Sequence, residues 1–150
     1  IAVWVGAIPG AVPPLMGWAA VTGGLELGGW TLFGLMFAWQ LPHFWALAHV
    51  YRRDYQQAGL HPAIQSDRRA GWALFLGTGL TLIASVLSVA AGVVGWVYLV
   101  GVIAIGLMFM WSGYQVVRDQ HAKVARRVFF ASITYLPLML GLLVVDRFLF

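Results

Sequence analysis

The longest stretch without a charged residue decides the fold. Residues 70–117 read AGWALFLGTGLTLIASVLSVAAGVVGWVYLVGVIAIGLMFMWSGYQVV, which is 48 residues without Asp, Glu, Lys or Arg. A helix rises about 1.5 Å per residue and needs about 20 apolar residues to cross a hydrocarbon core of roughly 30 Å. The stretch therefore predicts two membrane-spanning helices. Their turn is expected at residues 91–95, where two glycines weaken the helix and Trp96 restarts it at interfacial depth.

Three further charge-free runs complete the pattern. Residues 1–25 and 27–51 are long enough for one span each, and residues 128–145, extended by Phe148 to Phe150, make a fifth. The runs are continuous and do not alternate as barrel strands do. We therefore predict an all-α polytopic membrane helical bundle of five transmembrane helices. Hydrophobic residues make up 61% of the chain and charged residues only 9%, which excludes a water-soluble globule.

The basic residues predict the orientation. Eight of the nine lie in two loops, at residues 52–69 and 118–127, while Glu26, Asp146 and Arg147 fall on the other side. Two spans separate the loops, so both face one side, which the positive-inside rule makes cytoplasmic. This topology accounts for the net charge of +4, and no nucleic-acid partner is expected because no nucleic-acid motif is present. The lack of cysteine excludes disulfides and cysteine-ligated metal sites.

The first span contains residues typical of tight packing and bending. Gly6 and Gly10 have the small-xxx-small spacing that lets helix backbones approach. Pro9, Pro13 and Pro14 each remove a backbone donor, so they bend or break the helix. Helix packing alone explains this pattern, and a cavity opened by a kink is the alternative. The sequence does not decide between them.

The second span carries an intramembrane histidine. Residues 39–59 read WQLPHFWALAHVYRRDYQQAG. An ionisable residue within the membrane, here His43, indicates a functional site, and an imidazole bonded to a backbone carbonyl is the simpler alternative. On a continuous helix His43 and Asp54 differ by about 20° and lie roughly 16 Å apart, whereas His49 is turned about 120° away. Asp54 would then mark the mouth of a cavity that has His43 deeper inside.

Asp54 follows Arg52 and Arg53, and the next loop adds Asp67 and two more arginines. A carboxylate that holds Mg²⁺ beside arginines that grip phosphate oxygens is a recurrent arrangement for a diphosphate. A solvated ion pair between Asp54 and its neighbouring arginines is the simpler alternative.

These residues resemble a known family. PHFWALA at 42–48, RRDYQQAG at 52–59 and GAIPGAVPPLMGWAAVTG at 6–23 are similar to the C-terminal half of the heme O synthases, or protoheme IX farnesyltransferases, which are UbiA-type intramembrane prenyltransferases. The tail at 122–146 resembles the family's last span. The resemblance covers essentially the whole chain. It implies that residues 1–150 are the C-terminal part of a single nine-helix domain, with spans five to nine present and an N-terminal half as their partner.

The resemblance also implies an activity. Such enzymes transfer the farnesyl group of farnesyl diphosphate to a vinyl group of heme b, with the help of Mg²⁺, to make heme O for heme–copper oxidase assembly. An integral protein of the bacterial inner membrane with cytoplasmic active-site loops is expected, with the lipid bilayer and heme A synthase as further partners. Because the family clamps diphosphate between two acidic clusters and this chain has one, the 150 residues alone are expected to be inactive.

Residue roles follow from the match to the family's motifs. Asp54 falls on the second aspartate-rich motif, Tyr55 and Gly59 on the DY..AG pattern, and His43 on the PHF histidine that faces the porphyrin. The pattern departs from the family at Ala58, where DxxxD has a second aspartate, and at 61–67, so His61 and Asp67 receive no role. The predicted catalytic residues are Arg52, Arg53, Asp54 and Tyr55, with Asp54 on the metal, and the predicted substrate-binding residues are Trp39, His43, Phe44 and Trp45.

Several other interpretations stay open. The aromatic residues of that set would shield an allylic cation from water, with hydrophobic filling as the alternative. The chain would otherwise be another UbiA-type prenyltransferase, half of a transporter, or a non-enzymatic heme-binding subunit. The transporter and heme-subunit interpretations leave the acid and arginine cluster without a role. The remaining polar residues are interpreted as helix-to-helix contacts: Thr78, Thr81, Ser85, Ser88, Ser112, Gln115, Ser132 and Thr134.

Overall fold

A computed structural model describes residues 2–57, 68–119 and 121–149. These residues form helices and contain no strand, which confirms the all-α prediction. Five of the helices are long, and their positions correspond to the five predicted spans. The six helices are α1 (Ala2–Thr22), α2 (Leu27–Val50), α3 (Arg52–Gln57), α4 (Arg68–Ala90), α5 (Trp96–Arg118) and α6 (Ala122–Leu149).

Within the described ranges, three helices are long and apolar enough to cross a membrane. The qualifying segments are Ala70–Ala90, Trp96–Arg118 and Lys123–Leu149. They correspond to α4, α5 and α6. The count of five transmembrane helices goes beyond these three and stays a prediction for α1 and α2.

The boundary between α4 and α5 confirms the turn predicted at residues 91–95. Gly92 has a φ of 70°, the left-handed conformation that ends many helices. Its backbone N–H donates to the Val89 carbonyl at 2.9 Å. Without a Cβ, glycine takes this conformation at little cost, so the position of the turn could be predicted from the sequence.

The predicted loop at residues 118–127 is wrong, because most of it is helix. Only residues 119–121 separate α5 from α6, and α6 begins at Ala122 with Lys123 and two arginines in its first turns. Lys and Arg are good helix formers, so the helix can extend beyond the apolar run. The charge-free run therefore marks the apolar part of α6 and not the residue at which the helix begins.

The proline-rich helix α1 is also continuous. Pro9, Pro13 and Pro14 all lie inside a helix that runs without interruption from Ala2 to Thr22. The predicted break therefore does not occur. Membrane helices tolerate proline when the freed backbone groups find other partners.

Four helices form a closed ring. α2 packs against α4 and α6, and α5 packs against the same two helices from the opposite side. α1 packs against α2. α2 and α5 end where α4 and α6 begin, so eight of the nine basic residues belong to one end of the bundle, here called the basic end. The largest fully buried apolar side chains are Leu35, Leu74, Tyr98, Val102, Phe109, Val128 and Met139.

Small polar residues line the buried face of α4. Thr78, Thr81, Ser85 and Ser88 are fully buried, and each hydroxyl donates to a backbone carbonyl three or four residues earlier. The Ser85 hydroxyl also lies 2.7 Å from the Tyr135 hydroxyl on α6. Because these bonds satisfy the hydroxyls locally, α4 can pack closely without leaving them unpaired. Ser85 therefore makes one of the predicted helix-to-helix contacts, while the hydrogen bonds donated by the other three hydroxyls stay within α4.

Asp146 joins the ends of α5 and α6. Its side chain is only 2% exposed, and its carboxylate accepts the backbone N–H of Gly95 and, at 3.0 Å, that of Tyr98. Gly95 is the N-cap residue of α5 and has no side chain to cap the helix. A carboxylate at a helix N-terminus satisfies unpaired N–H groups and complements the helix dipole. Asp146 therefore caps α5 from a neighbouring helix.

The two glycines of the small-xxx-small motif have different surroundings in the structure. A Cβ on Gly10 would overlap the Gln40 amide of α2, and Gln40 is 3% exposed, whereas a Cβ on Gly6 meets nothing within 4 Å. Only Gly10 therefore lies in the contact between α1 and α2, and the group that approaches it is a side-chain amide and not the partner backbone.

We expect Gly10→Ala to destabilise the chain by about 1–2 kcal/mol relative to Gly6→Ala. Both substitutions gain the same helix propensity, so the difference in stability between the two variants measures the contact with Gln40. Thermal unfolding in one detergent measures it. Equal midpoints for the two variants would contradict the contact between Gly10 and the Gln40 side chain.

We expect Asp146→Ala to lower the midpoint of thermal unfolding, because the N-terminus of α5 loses its acceptor. The exposed neighbour Arg147 gives the control, and Arg147→Gln should leave the midpoint nearly unchanged. A wild-type midpoint for Asp146→Ala would show that water caps α5 equally well.

Candidate functional site

The candidate site centres on a contact between α2 and α6. Trp39 and His43, one turn apart on α2, both reach Ser132 of α6. The Trp39 indole N–H donates to the Ser132 backbone carbonyl at 2.9 Å. The His43 Nδ1 lies 2.8 Å from the Ser132 hydroxyl oxygen. That hydroxyl in turn donates to the Phe129 carbonyl at 2.6 Å.

These bonds determine which nitrogen of His43 carries the proton. The single hydrogen of the Ser132 hydroxyl is given to the Phe129 carbonyl, so its oxygen accepts from His43. Nδ1 must then be the N–H donor. In the neutral ring Nε2 carries the lone pair and can accept a proton or bind a metal ion.

Aromatic rings enclose the His43 imidazole on both sides. It stacks on Trp39 at 4.6 Å between ring centroids and on Phe129 at 5.4 Å. Phe44 is tilted against it at 5.9 Å. Trp39 is only 9% exposed, so its indole serves mainly the contact between helices. His43 and Phe44 are half-buried and keep surface for a ligand.

The second histidine of α2 has a separate partner. His49 stacks on Trp45 with 4.4 Å between ring centroids, and both are half-buried. The His49 Nδ1 is buried, and no hydrogen-bond partner for it occurs in the part of the chain that the structure describes. His43 and His49 therefore contact different aromatic groups, which agrees with their predicted separation of about 120° around the helix axis. This arrangement does not favour a heme held by both histidines of one helix.

The continuous helix assumed between His43 and Asp54 is wrong. α2 ends at Val50, and Tyr51 follows with φ −100° and ψ 24° before α3 begins at Arg52. The Tyr51 N–H still bonds the Leu47 carbonyl at 3.0 Å, but its backbone then leaves the helical conformation. The 20° relation between His43 and Asp54 therefore does not apply.

The charged residues of α3 lie at the basic end. Arg52, Arg53 and Asp54 are exposed, and no salt bridge joins them within the described residues. The simple ion pair that the sequence allowed is thus not formed. Tyr55 lies in α3 with its side chain outside the described part of the structure. Gly59, His61 and Asp67 lie outside the described residues.

The charged groups do not complete a metal site by themselves. Among residues 2–57, 68–119 and 121–149, no group of three His, Asp or Glu side chains is placed to hold a metal ion. Asp54 offers one carboxylate, whereas Mg²⁺ prefers several oxygen ligands. These residues alone therefore do not account for a bound Mg²⁺.

Two residues were not predicted in their observed roles. Ser132 was interpreted only as a helix contact, and Asp146 was assigned only to the side of the membrane opposite the basic loops. Ser132 lies 89 residues after His43, and Asp146 lies 48 residues after Tyr98. In the sequence, each is visible only as a polar residue at or near an apolar run. That pattern does not reveal which distant group it bonds.

Comparison with known proteins identifies the family. The sequence profile of the UbiA prenyltransferase family matches residues 1–134, so the chain belongs to that family. UbiA proteins are membrane prenyltransferases, and the three long apolar helices agree with an integral membrane protein. No solved structure matches the chain.

The more specific similarity is to proteins described as protoheme IX farnesyltransferase. The relative from Solibacter usitatus is 42% identical over 146 residues, covering 95% of this chain and 50% of that protein. The relative from Salinibacter ruber is 40% identical over 148 residues, and that from Gloeobacter violaceus is 37% identical over 150. Each covers 97% of this chain, and 52% and 49% of the respective relative. The chain thus spans about half the length of these relatives, and the resemblance to their family is confirmed.

We expect ¹⁵N NMR of histidine-labelled chain to show His43 protonated on Nδ1 and unprotonated on Nε2. Ser132→Ala removes the acceptor and should make the two tautomers more nearly equal, while Trp39 keeps its bond to the backbone carbonyl. The control is Ser112→Ala, because the Ser112 hydroxyl donates to the Phe109 carbonyl at 2.6 Å, its one hydrogen bond among the described residues. A wild-type His43 protonated on Nε2 would contradict the hydrogen-bond assignment.

Proposed function

We propose that this protein takes part in heme O synthesis, the transfer of a farnesyl group from farnesyl diphosphate to a vinyl group of heme b. The observation that carries the proposal is the held imidazole of His43, which has a lone pair on Nε2 and half-buried aromatic neighbours. The relatives described as protoheme IX farnesyltransferase support it. Their names describe proteins about twice as long, so the activity is proposed for a protein that includes both halves.

The proposed heme contact uses one face of α2. A porphyrin is a flat apolar ring with a central iron, and imidazole is a common axial ligand for that iron. His43 would bind or orient the heme through Nε2, while Phe44 and Trp45 would contact the ring. Trp39 would position His43 through stacking and its bond to Ser132. These aromatic groups also keep water from the allylic cation that forms when diphosphate leaves.

The proposed diphosphate contact uses α3. Arg52 and Arg53 are exposed and free of a salt bridge to Asp54, so their guanidinium groups are available to phosphate oxygens. Asp54 is the proposed metal-side residue, and Tyr55 follows it in the same helix. Mg²⁺, when bound, would neutralise charge on the leaving group. Since Asp54 alone does not complete a metal site, the other ligands would come from groups outside the described residues.

The 150 residues alone are proposed to be inactive. A diphosphate leaving group carries two to three negative charges, and one acidic cluster with its metal would neutralise only part of them. The relatives contain about as much chain again, which can supply a second cluster. We propose that residues 1–150 are the C-terminal part of one domain and act with that N-terminal half. The product would then pass to a heme A synthase.

The proposed location is the inner membrane of a bacterium with the basic end in the cytoplasm. The support is the grouping of eight of nine basic residues at that end of the bundle. Farnesyl diphosphate is water-soluble at its charged end, so a cytoplasmic position of α3 lets it meet the diphosphate directly.

We expect Asp54→Asn to lower turnover by about 10²–10³, because the change removes a charge from the diphosphate site while keeping the shape. The assay protein joins this chain to the N-terminal half of the Solibacter usitatus relative, and mass spectrometry measures farnesylated heme in membranes lacking other heme O synthases.

Gln57→Ala in the same helix is the control and should keep near-wild-type turnover, since Gln57 is exposed and uncharged. Near-wild-type product from Asp54→Asn at equal protein level would remove Asp54 from the site. Farnesyl transfer by the 150-residue chain alone would contradict the proposal that two halves are required.

We expect Gln57→Cys to react with a membrane-impermeant thiol reagent only from the cytoplasmic side and Gly24→Cys only from the opposite side. The chain has no cysteine, so each label reports one position. A side chain at Gly24 meets nothing within 4 Å, so the substitution should not disturb packing. Labelling of both positions from one side would contradict the proposed topology.

A further inference from the structure

A recess opens between α4 and α5 at the basic end. It has a volume of about 750 Å³, and its lining includes Arg68, Trp72, Tyr114 and Arg118. A smaller recess beside it shares Tyr114 and Arg118 and adds Trp111 and Arg127. These six residues are here called the α4–α5 surface. None of them belongs to the proposed heme or diphosphate contacts.

The α4–α5 surface has an excess of positive charge. The carboxylate of Asp119 also lines both recesses and lies 3.7 Å from the His121 ring nitrogen, so one acidic group faces three arginines. Within the described ranges, no carboxylate lies within salt-bridge distance of Arg68, Arg118 or Arg127. Among the described residues, these three guanidinium groups are therefore available to an anion. Arginine suits phosphate well because its planar group can donate two parallel hydrogen bonds.

The same surface exposes large aromatic rings. Trp72 is 44% exposed and Trp111 is 59% exposed. Tyr114 lies beside Trp111, with 5.8 Å between their ring centroids. Trp and Tyr prefer the headgroup level of a bilayer, where one part of the ring meets lipid and the other meets water. A binding surface with arginines next to exposed indoles therefore fits a molecule that is anionic at one end and apolar at the other.

We propose that the α4–α5 surface binds the headgroup of an anionic phospholipid from the cytoplasmic leaflet. Arg68 and Arg118 contact the phosphate, and Arg127 adds charge from α6. Trp72 and Trp111 contact the glycerol and the first part of the acyl chains. Basic recesses between membrane helices on the cytoplasmic side are suited to such lipids. A soluble phosphate would use the arginines but would leave the indoles without a role.

The test compares lipid affinity in the 150-residue chain held in phosphatidylcholine nanodiscs with added phosphatidylglycerol. Native mass spectrometry counts the retained lipid. We expect Arg68→Gln with Arg118→Gln to weaken phosphatidylglycerol binding roughly 10- to 30-fold, given the usual contribution of each basic group near an anionic surface. The matched control, Arg126→Gln with Arg147→Gln, removes two charges outside both recesses and should change binding less than about threefold.

A second measurement uses only the wild-type chain, in case the double variant does not fold. Retention of phosphatidylglycerol should fall as salt rises, because exposed charges are screened. Equal retention of phosphatidylglycerol and phosphatidylcholine, or retention independent of salt, would overturn the proposal. So would an equal loss in the control variant. Displacement of the lipid by inorganic diphosphate at equal concentration would instead identify a site for soluble phosphates and also overturn it.

Discussion

The contact of Ser132 with α2 joins the packing of the bundle to its candidate site. An unpaired polar group inside a membrane costs free energy, because the hydrocarbon offers no hydrogen-bond partner. The Ser132 backbone carbonyl accepts from the Trp39 indole. The Ser132 hydroxyl bonds both the His43 imidazole and the Phe129 carbonyl. This contact joins α2 to α6, which completes the ring of four helices. It also gives His43 one orientation and one tautomer.

Most buried polar side chains of the described residues follow the same constraint, whereas the Gln40 amide, the His49 Nδ1 and the Tyr98 hydroxyl are buried without a hydrogen-bond partner there. Lipid tails are as apolar as leucine, so membrane helices associate through close packing and interhelical hydrogen bonds. At Gly71 of α4 a Cβ would lie 3.1 Å from the Val116 carbonyl oxygen, so the two backbones are nearly in contact. Asp146 provides the interhelical bond at the far end of α5. Polar groups and small residues thus stabilise contacts between helices that are otherwise apolar.

The features that the sequence predicted correctly are local in the chain. Charge-free runs revealed the long helices, and the Gly92 turn followed from the conformational freedom of glycine. Two helix boundaries were predicted wrongly. The charged start of α6 was taken as a loop, because charged residues also occur in loops. The break at Tyr51 was missed because no proline or glycine marks it.

The candidate site was predicted only in part. PHFWALA pointed to His43, but its partner Ser132 lies 89 residues away, so only the folded bundle reveals the hydrogen bond that assigns the tautomer. The role of Asp146 is likewise invisible in the sequence, because its partners are backbone groups of another helix.

His43 is the proposed heme contact of this half of the protein. Heme titration into the chain in nanodiscs, followed by the Soret band and corrected with empty nanodiscs, tests this most directly. Saturable binding should be lost in His43→Ala and kept in His49→Ala, because the two histidines have separate surroundings. Equal binding by wild type and His43→Ala, or loss only in His49→Ala, would contradict it.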